Sequence, residues 1–175
     1  AGGPDSKHPS VLLSILQAIY LAKKEILITT PYFIPGDSIM DALIAASLSG
    51  LEVKLLVPGK GDSRLVNAAA KSYYSRLLDA GVEIYLYNKG FVHAKTIVTD
   101  GQLSIIGTAN MDYRSFELNF EVNVILYDKD TGGELRDVFY DDLKVSEKLD
   151  KEKWLTRIWY QQLPEKIARL FSPVL

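Results

Sequence analysis

Three short apolar segments, separated by two helical patterns, constrain this chain more than any other feature. Glu25–Thr30 (EILITT), Val53–Val57 (VKLLV) and Val82–Tyr87 read as buried strands. Before the first, Val11, Leu12, Ile15, Leu16, Ile19 and Tyr20 recur at helical spacing. Between the first two, Asp37 can cap a helix carrying Ile39, Met40, Leu43 and Ile44, with Gly50 ending it. Between the second and third, Asp62 or Ser63 caps a helix that runs to about Ala80 and ends at Gly81. Strands joined by helical crossovers pair in parallel. After Tyr87 the pattern changes. Val92–Tyr127 reads as three strands with short turns. Residues 131–149 and 151–171 read as helices, the last broken at Pro164. The expected fold is α/β, a mixed sheet flanked by helices on both faces. Residues 1–9 read as a leader or linker, and 10–175 as a single domain.

At 175 residues the chain can bury one substantial core. It has no Cys, which excludes disulfides and thiolate metal sites. Its two histidines are His8, in the polar leader, and His93, so no metal site and no cofactor is expected. A net charge of −2 with no basic stripe argues against a nucleic-acid partner. The longest apolar runs, Ala18–Ala22 and Ala42–Ala46, are five residues each and cannot span a bilayer. The chain begins at Ala1 without Met and reads as a segment of a longer protein. On that reading the segment alone is soluble, and any membrane contact comes through N-terminal segments upstream of it.

The chemistry concentrates in His93-Ala-Lys95-Thr-Ile-Val-Thr-Asp100-Gly101, followed by Gly107-Thr108-Ala-Asn110. Asp100-Gly101 is a two-residue hairpin signal. If the turn occupies 100 and 101, Thr99 faces Gln102 and facing residues sum to 201. His93 then faces Thr108, Lys95 faces Ile106, and His93, Lys95, Thr108 and Asn110 share one face of the sheet. The following segment, Asn119–Tyr127, splits into an apolar side (Phe120, Val122, Val124, Leu126) and a polar side (Asn119, Glu121, Asn123). An imidazole can attack phosphorus or pass a proton near neutral pH. Lys95 offers a point charge to non-bridging phosphate oxygens, and Thr108 and Asn110 add neutral donors. Glu121 can fix the His93 tautomer through the second ring nitrogen, or pair with Lys95 or Arg114. Asp100 falls on the opposite parity from His93 and reads as a structural acid that ties the turn.

HxKxxxxD followed by GT-A-N resembles the HKD motif of the phospholipase D superfamily. The surroundings are similar to the C-terminal catalytic half of bacterial cardiolipin synthases. The shared features are GPD at 3–5, TTPYFIP at 29–35, LLVPGKGDSRLV at 55–66, GFVHAK at 90–95 and RSFELNFEVN at 114–123. Thr108 departs from the family's usual Ser but keeps the hydroxyl. The resemblance implies an α/β/α sandwich and a metal-independent phosphatidyltransferase with a phosphohistidine intermediate. In such an enzyme two phosphatidylglycerols become cardiolipin plus glycerol, at the bacterial cell membrane. It also implies a two-motif protein of which this segment supplies the second motif. The partner is then the upstream HKD half or, in a homodimer, a second copy, and the unpaired segment is inactive. The alternatives are a soluble phosphodiesterase or nuclease of the same superfamily, or a catalytically silent half-domain.

Two further segments carry open readings. Tyr32-Phe33-Ile34 either lines a lipid entrance or plugs the sheet edge. Leu155, Ile158 and Trp159, then Ile167, Leu170 and Phe171, repeat at helical spacing. Core packing is the default reading for them. The other is a helix on a bilayer surface, with Trp154 and Trp159 at the headgroup level.

Overall fold

A computed structural model describes residues 1–172. Helix α1 (Ser10–Leu21) leads into β1 (Glu25–Thr29) and the short β2 (Phe33–Ile34). Then follow α2 (Gly36–Leu48), β3 (Glu52–Pro58), α3 (Arg64–Asp79) and β4 (Glu83–Tyr87). The hairpin is β5 (Thr96–Thr99) and β6 (Leu103–Gly107), followed by β7 (Met111–Asp112), α4 (Tyr113–Glu117) and β8 (Asn123–Tyr127). The chain closes with α5 (Lys129–Leu143), β9 (Ser146–Lys148), α6 (Lys151–Leu155) and α7 (Trp159–Arg169).

The seven-stranded sheet runs β8-β6-β5-β1-β3-β4-β9. β1, β3 and β4 are parallel, as their helical crossovers require, and the other pairings are antiparallel. Alternation along β1 divides the core. Ile26 and Ile28 face the cluster formed with α1, α2 and α3, whereas Leu27, with Leu56 and Val98, packs on Phe139 of α5. The sheet therefore carries helices on both faces, with the larger core under α1–α3. A charged seam lies under α5, where Glu25 accepts hydrogen bonds from Arg136 Nε and Tyr140 Oη.

Several sequence expectations are corrected. Asp37 does not cap α2; Pro35 stands at the cap and Asp37 lies in the first turn. Of the two cap candidates for α3, Ser63 is the one that caps it, accepting from the Val66 amide as expected. The first late helix ends earlier than the expected 131–149, because Ser146–Lys148 forms an edge strand on β4, with Lys148 paired to Glu83. The C-terminal break falls at 156–158, and α7 runs through Pro164. The leader is tied down, as Gly2 forms an antiparallel bridge with Glu121.

The hairpin register is also corrected. Asp100 and Gly101 adopt φ of 56° and 61°, as the two-residue turn demands, and Gln102 N donates to Thr99 O at 3.1 Å. Yet Thr99 faces Leu103, so facing residues sum to 202. Gln102 is left over as a bulge, and its carbonyl accepts from the Asp128 amide at 2.9 Å. Finally, the apolar side of 119–127 does not enter the core. Phe120, Val122 and Val124 are exposed at the open edge of the sheet.

Candidate active site

His93 and Lys95 lie on an extended segment just before β5, not within it. The ladder's last link there is Gly107 N donating to Lys95 O at 3.2 Å. Lys95 Nζ sits 3.1 Å from His93 Nε2 and donates to His93 O at 2.9 Å. An ammonium has no lone pair, so Nε2 accepts, and a neutral His93 in this arrangement carries its proton on Nδ1. The imidazole is exposed and stacks on Phe91, with ring centroids 5.7 Å apart. Burial pushes the Lys95 ammonium below the ordinary lysine range, against the pull of the Glu121 and Asp112 carboxylates.

Glu121 is reached through Thr108. The Thr108 hydroxyl donates to Glu121 Oε2 and accepts from Val122 N at 3.0 Å, while Asn119 Nδ2 donates to Glu121 Oε1 at 3.3 Å. Glu121 thus spends its hydrogen bonds on Thr108 and Asn119 rather than on His93, and its charge acts on Lys95. A register of 202 would send Thr108 to the far face if β6 continued straight. β6 ends at Gly107 instead, and Thr108 turns to the Glu121 segment. A Cβ at Gly107 would collide with the Asn123 side chain and the Val122 carbonyl, so this close approach requires glycine.

Asn110 is held by its amide, which donates to Ser115 Oγ at 3.1 Å. Its Oδ1 is buried and without a hydrogen-bond partner. Asp112 is the residue that sequence reasoning missed. It caps α4 by accepting from Ser115 N at 2.7 Å, and it is buried. Burial pushes its carboxyl above the usual aspartate range, offset in part by Ser115 and Asn110. The Asp112-x-x-Ser115 spacing is a capping signal, and its nearness to the motif offered a way to find it.

Asp100 stands away from this group. Its two oxygens accept from the amides of Lys23 and Lys24 at 2.8 Å each and of Glu25 at 3.0 Å, tying the α1–β1 turn to the hairpin. Phe33 and Ile34 are fully buried and pair with β7 in a two-stranded sheet separate from the main one. Tyr32 donates to Asp62 Oδ2 at 2.5 Å, and that bond pushes its phenol up to about 12. Among the described residues no group of three or more His, Cys, Asp or Glu is placed to hold a metal ion. No helix among them is long and apolar enough to cross a membrane.

A family model described as cardiolipin synthase, PLD-like domain, matches residues 15–143. Cardiolipin synthase 2 of Bacillus anthracis is 48% identical over 175 residues, which is 100% of this chain and 34% of that protein. Major cardiolipin synthase ClsA of Bacillus subtilis (strain 168) is 46% identical over 173 residues, 99% of this chain and 36% of that protein. The chain thus spans about a third of the length of these curated relatives. Phosphatidylserine synthase of Haemophilus influenzae Rd KW20 superposes with a TM-score of 0.71 at 15% identity, covering 98% of this chain and 44% of that one. NUC from Salmonella typhimurium, a phospholipase D family member, superposes with a TM-score of 0.69 at 22% identity, covering 78% of this chain and 89% of that one.

Proposed function

The chain belongs to the cardiolipin synthase, PLD-like domain family, and we propose from that premise that it supplies one half of a phosphatidyltransferase site. The reaction joins two phosphatidylglycerols into cardiolipin and glycerol, in two steps. A histidine nitrogen attacks phosphorus of the first phosphatidylglycerol, and the glycerol oxygen leaves with a proton. The hydroxyl of the second then attacks the phosphohistidine, gives up its proton, and restores the imidazole. The upstream motif's histidine is the nucleophile. His93 hands the proton to the departing glycerol and takes one from the incoming hydroxyl. Lys95 neutralises the non-bridging oxygens, the Asn110 side-chain nitrogen adds a neutral donor, and Thr108, whose hydroxyl proton goes to Glu121, positions that acid to balance Lys95. Asp100 is structural.

The observation that carries this reading is the 3.1 Å approach of Lys95 Nζ to His93 Nε2. A phosphate bound to that ammonium would lie within reach of the same ring nitrogen. The mechanism needs two imidazoles across one phosphorus, and this chain offers one at the site. The second comes from the upstream half or from a second copy. The exposed edge at β8, with Phe120 and Val124 open beside Glu121, gives such a partner an apolar surface to cover.

The test is a complete two-motif protein assayed for cardiolipin formation from phosphatidylglycerol. His93→Ala is expected to abolish product while leaving thermal unfolding unchanged, since positioned proton transfer alone contributes about 10²–10⁴-fold. Trapping of the phosphoenzyme is expected to modify the upstream peptide. Phosphate on His93 would reverse the assignment, and full turnover by the verified monomeric 175-residue chain would refute the half-site.

A further inference from the structure

Helix α7 is amphipathic in the inverted sense. Gln162, Glu165 and Arg169 turn toward the protein, whereas Gln161 and Lys166 are exposed. Glu165 is buried and accepts a bidentate pair from Arg157 at 2.7 and 3.0 Å. The Arg157 guanidinium lies 3.5 Å from the Trp154 ring centroid, and Arg169 lies 4.7 Å from that of Tyr73. Ala168 completes the seat on α3. The apolar residues turn away: Trp159 is 70% exposed, Leu163 46%, Ile167 51% and Leu170 78%. At 100° per residue these four fall within a quarter of the helix circumference, and Tyr160 and Phe171 extend the same arc. Core packing, the default expectation for this stretch, is therefore overturned. Only Trp154 turns inward, against Tyr74.

We infer that this outward face of α7 lies in the interface of an anionic bilayer. Three observations choose a lipid surface over another occupant. Around the C-terminal helices, residues 150–172, Lys151, Lys153, Arg157, Lys166 and Arg169 stand against Asp150, Glu152 and Glu165, a surplus of two positive charges in a chain whose net charge is −2. Glu165 is paired inward with Arg157, Arg169 packs on Tyr73, and Lys166 is left exposed beside the apolar arc. Basic flanks around an apolar stripe suit an anionic surface. The arc also carries Trp159 and Tyr160, whose rings suit the headgroup level. The third observation is position. α7 packs on α3, over the β4 end of the sheet, whereas the open edge beside the active site is β8, at the other end. A protein partner seated on β8 leaves α7 uncovered. This rests on the proposed lipid substrate only for its setting, since no residue of the outward face belongs to the candidate site.

The test mixes the 175-residue chain with phosphatidylcholine vesicles containing about a third phosphatidylglycerol or, at equal charge, phosphatidylserine. Co-flotation is expected with both anionic compositions and not with phosphatidylcholine alone. Leu163→Gln with Ile167→Gln is expected to weaken it on the order of tenfold. Trp159→Phe is expected to remove the fluorescence blue shift on binding. His93→Ala is expected to float as the wild type does, so a failed catalytic assignment leaves this result intact. Binding to neither anionic vesicle, or equal binding by the double variant, would overturn the inference. So would a dimer in sedimentation that the double variant dissolves, because a second copy would then occupy the face.

Discussion

Replacing Asp100 should damage the protein as a joint rather than as a catalyst, and the size of the damage can be worked out. Its carboxylate accepts three amides, those of Lys23, Lys24 and Glu25. The Lys23 and Lys24 bonds are exposed, so in Asp100→Ala those amides rehydrate and lose a few tenths of a kcal/mol each. The Glu25 amide is half-buried and loses a charge-assisted bond worth about 1.5–3 kcal/mol. Asp100 also sits at φ 56°, which costs Ala about 1 kcal/mol more. The sum is about 3–5 kcal/mol, or a fall in Tm of roughly 10–15 °C for a chain of this size. Asp100→Gly removes the strain and should recover about 1 kcal/mol relative to Ala. Asp100→Asn tolerates the conformation, keeps one acceptor oxygen and should fall between wild type and Gly. Urea unfolding of the three variants measures the series. In the two-motif enzyme, activity per folded molecule should stay within a few-fold of wild type. An Asp100→Ala protein of undiminished stability, or one that is stable and inactive, would refute the reasoning.

Glu121→Gln in the two-motif enzyme should lower turnover less than His93→Ala, because the amide can still accept from Thr108; equal losses would restore a direct role on His93. Gly107→Ala should destabilise by more than about 2 kcal/mol, since both colliding groups belong to the neighbouring segment and its backbone must move; denaturant unfolding checks this. Tyr32 has a folded pKa raised to about 12 from 10.0 by its bond to Asp62. Its stabilisation is therefore complete below pH 10 and lost as pH rises through 12, so Tyr32→Phe should flatten the stability profile across that window, read as a difference from wild type because Tyr74 and Tyr85 are also raised. A salt-dependent shift of DNA by the chain at physiological ionic strength would favour the nuclease alternative; none is expected.

The parallel strands and their helices were legible because their signal is local. EILIT and VKLLV are apolar runs of strand length, and Gly50 and Gly81 take the positive φ that ends each helix. The hairpin was legible as a turn but not as a register. Asp100-Gly101 specifies the turn, while the bulge at Gln102 is held by the Asp128 amide, which no local pattern announces. β9 was invisible for a similar reason: Ser146-Glu-Lys148 has no periodicity and exists through its pairing with β4. At the candidate site the residue types could be read, but their convergence could not. Thr108 meets Glu121 because β6 stops and α4 intervenes, not because a strand continues. The outward turn of α7 was the hardest to see. Spacing reports that a face is apolar, and only packing on α3 reports which way it points.

The bridge between Gly2 and Glu121 bears on how a tethered partner would be delivered. Any polypeptide joined ahead of Ala1 emerges two residues from a backbone that is paired to Glu121 itself. A module carried on such a tether is confined to the mouth of the site, at an effective concentration in the millimolar range for a short flexible link. A module tethered in that way needs little intrinsic affinity, and its contact with this chain can stay small. The same geometry makes that terminus a poor place for a rigid fusion, which would crowd the opening it is meant to leave free.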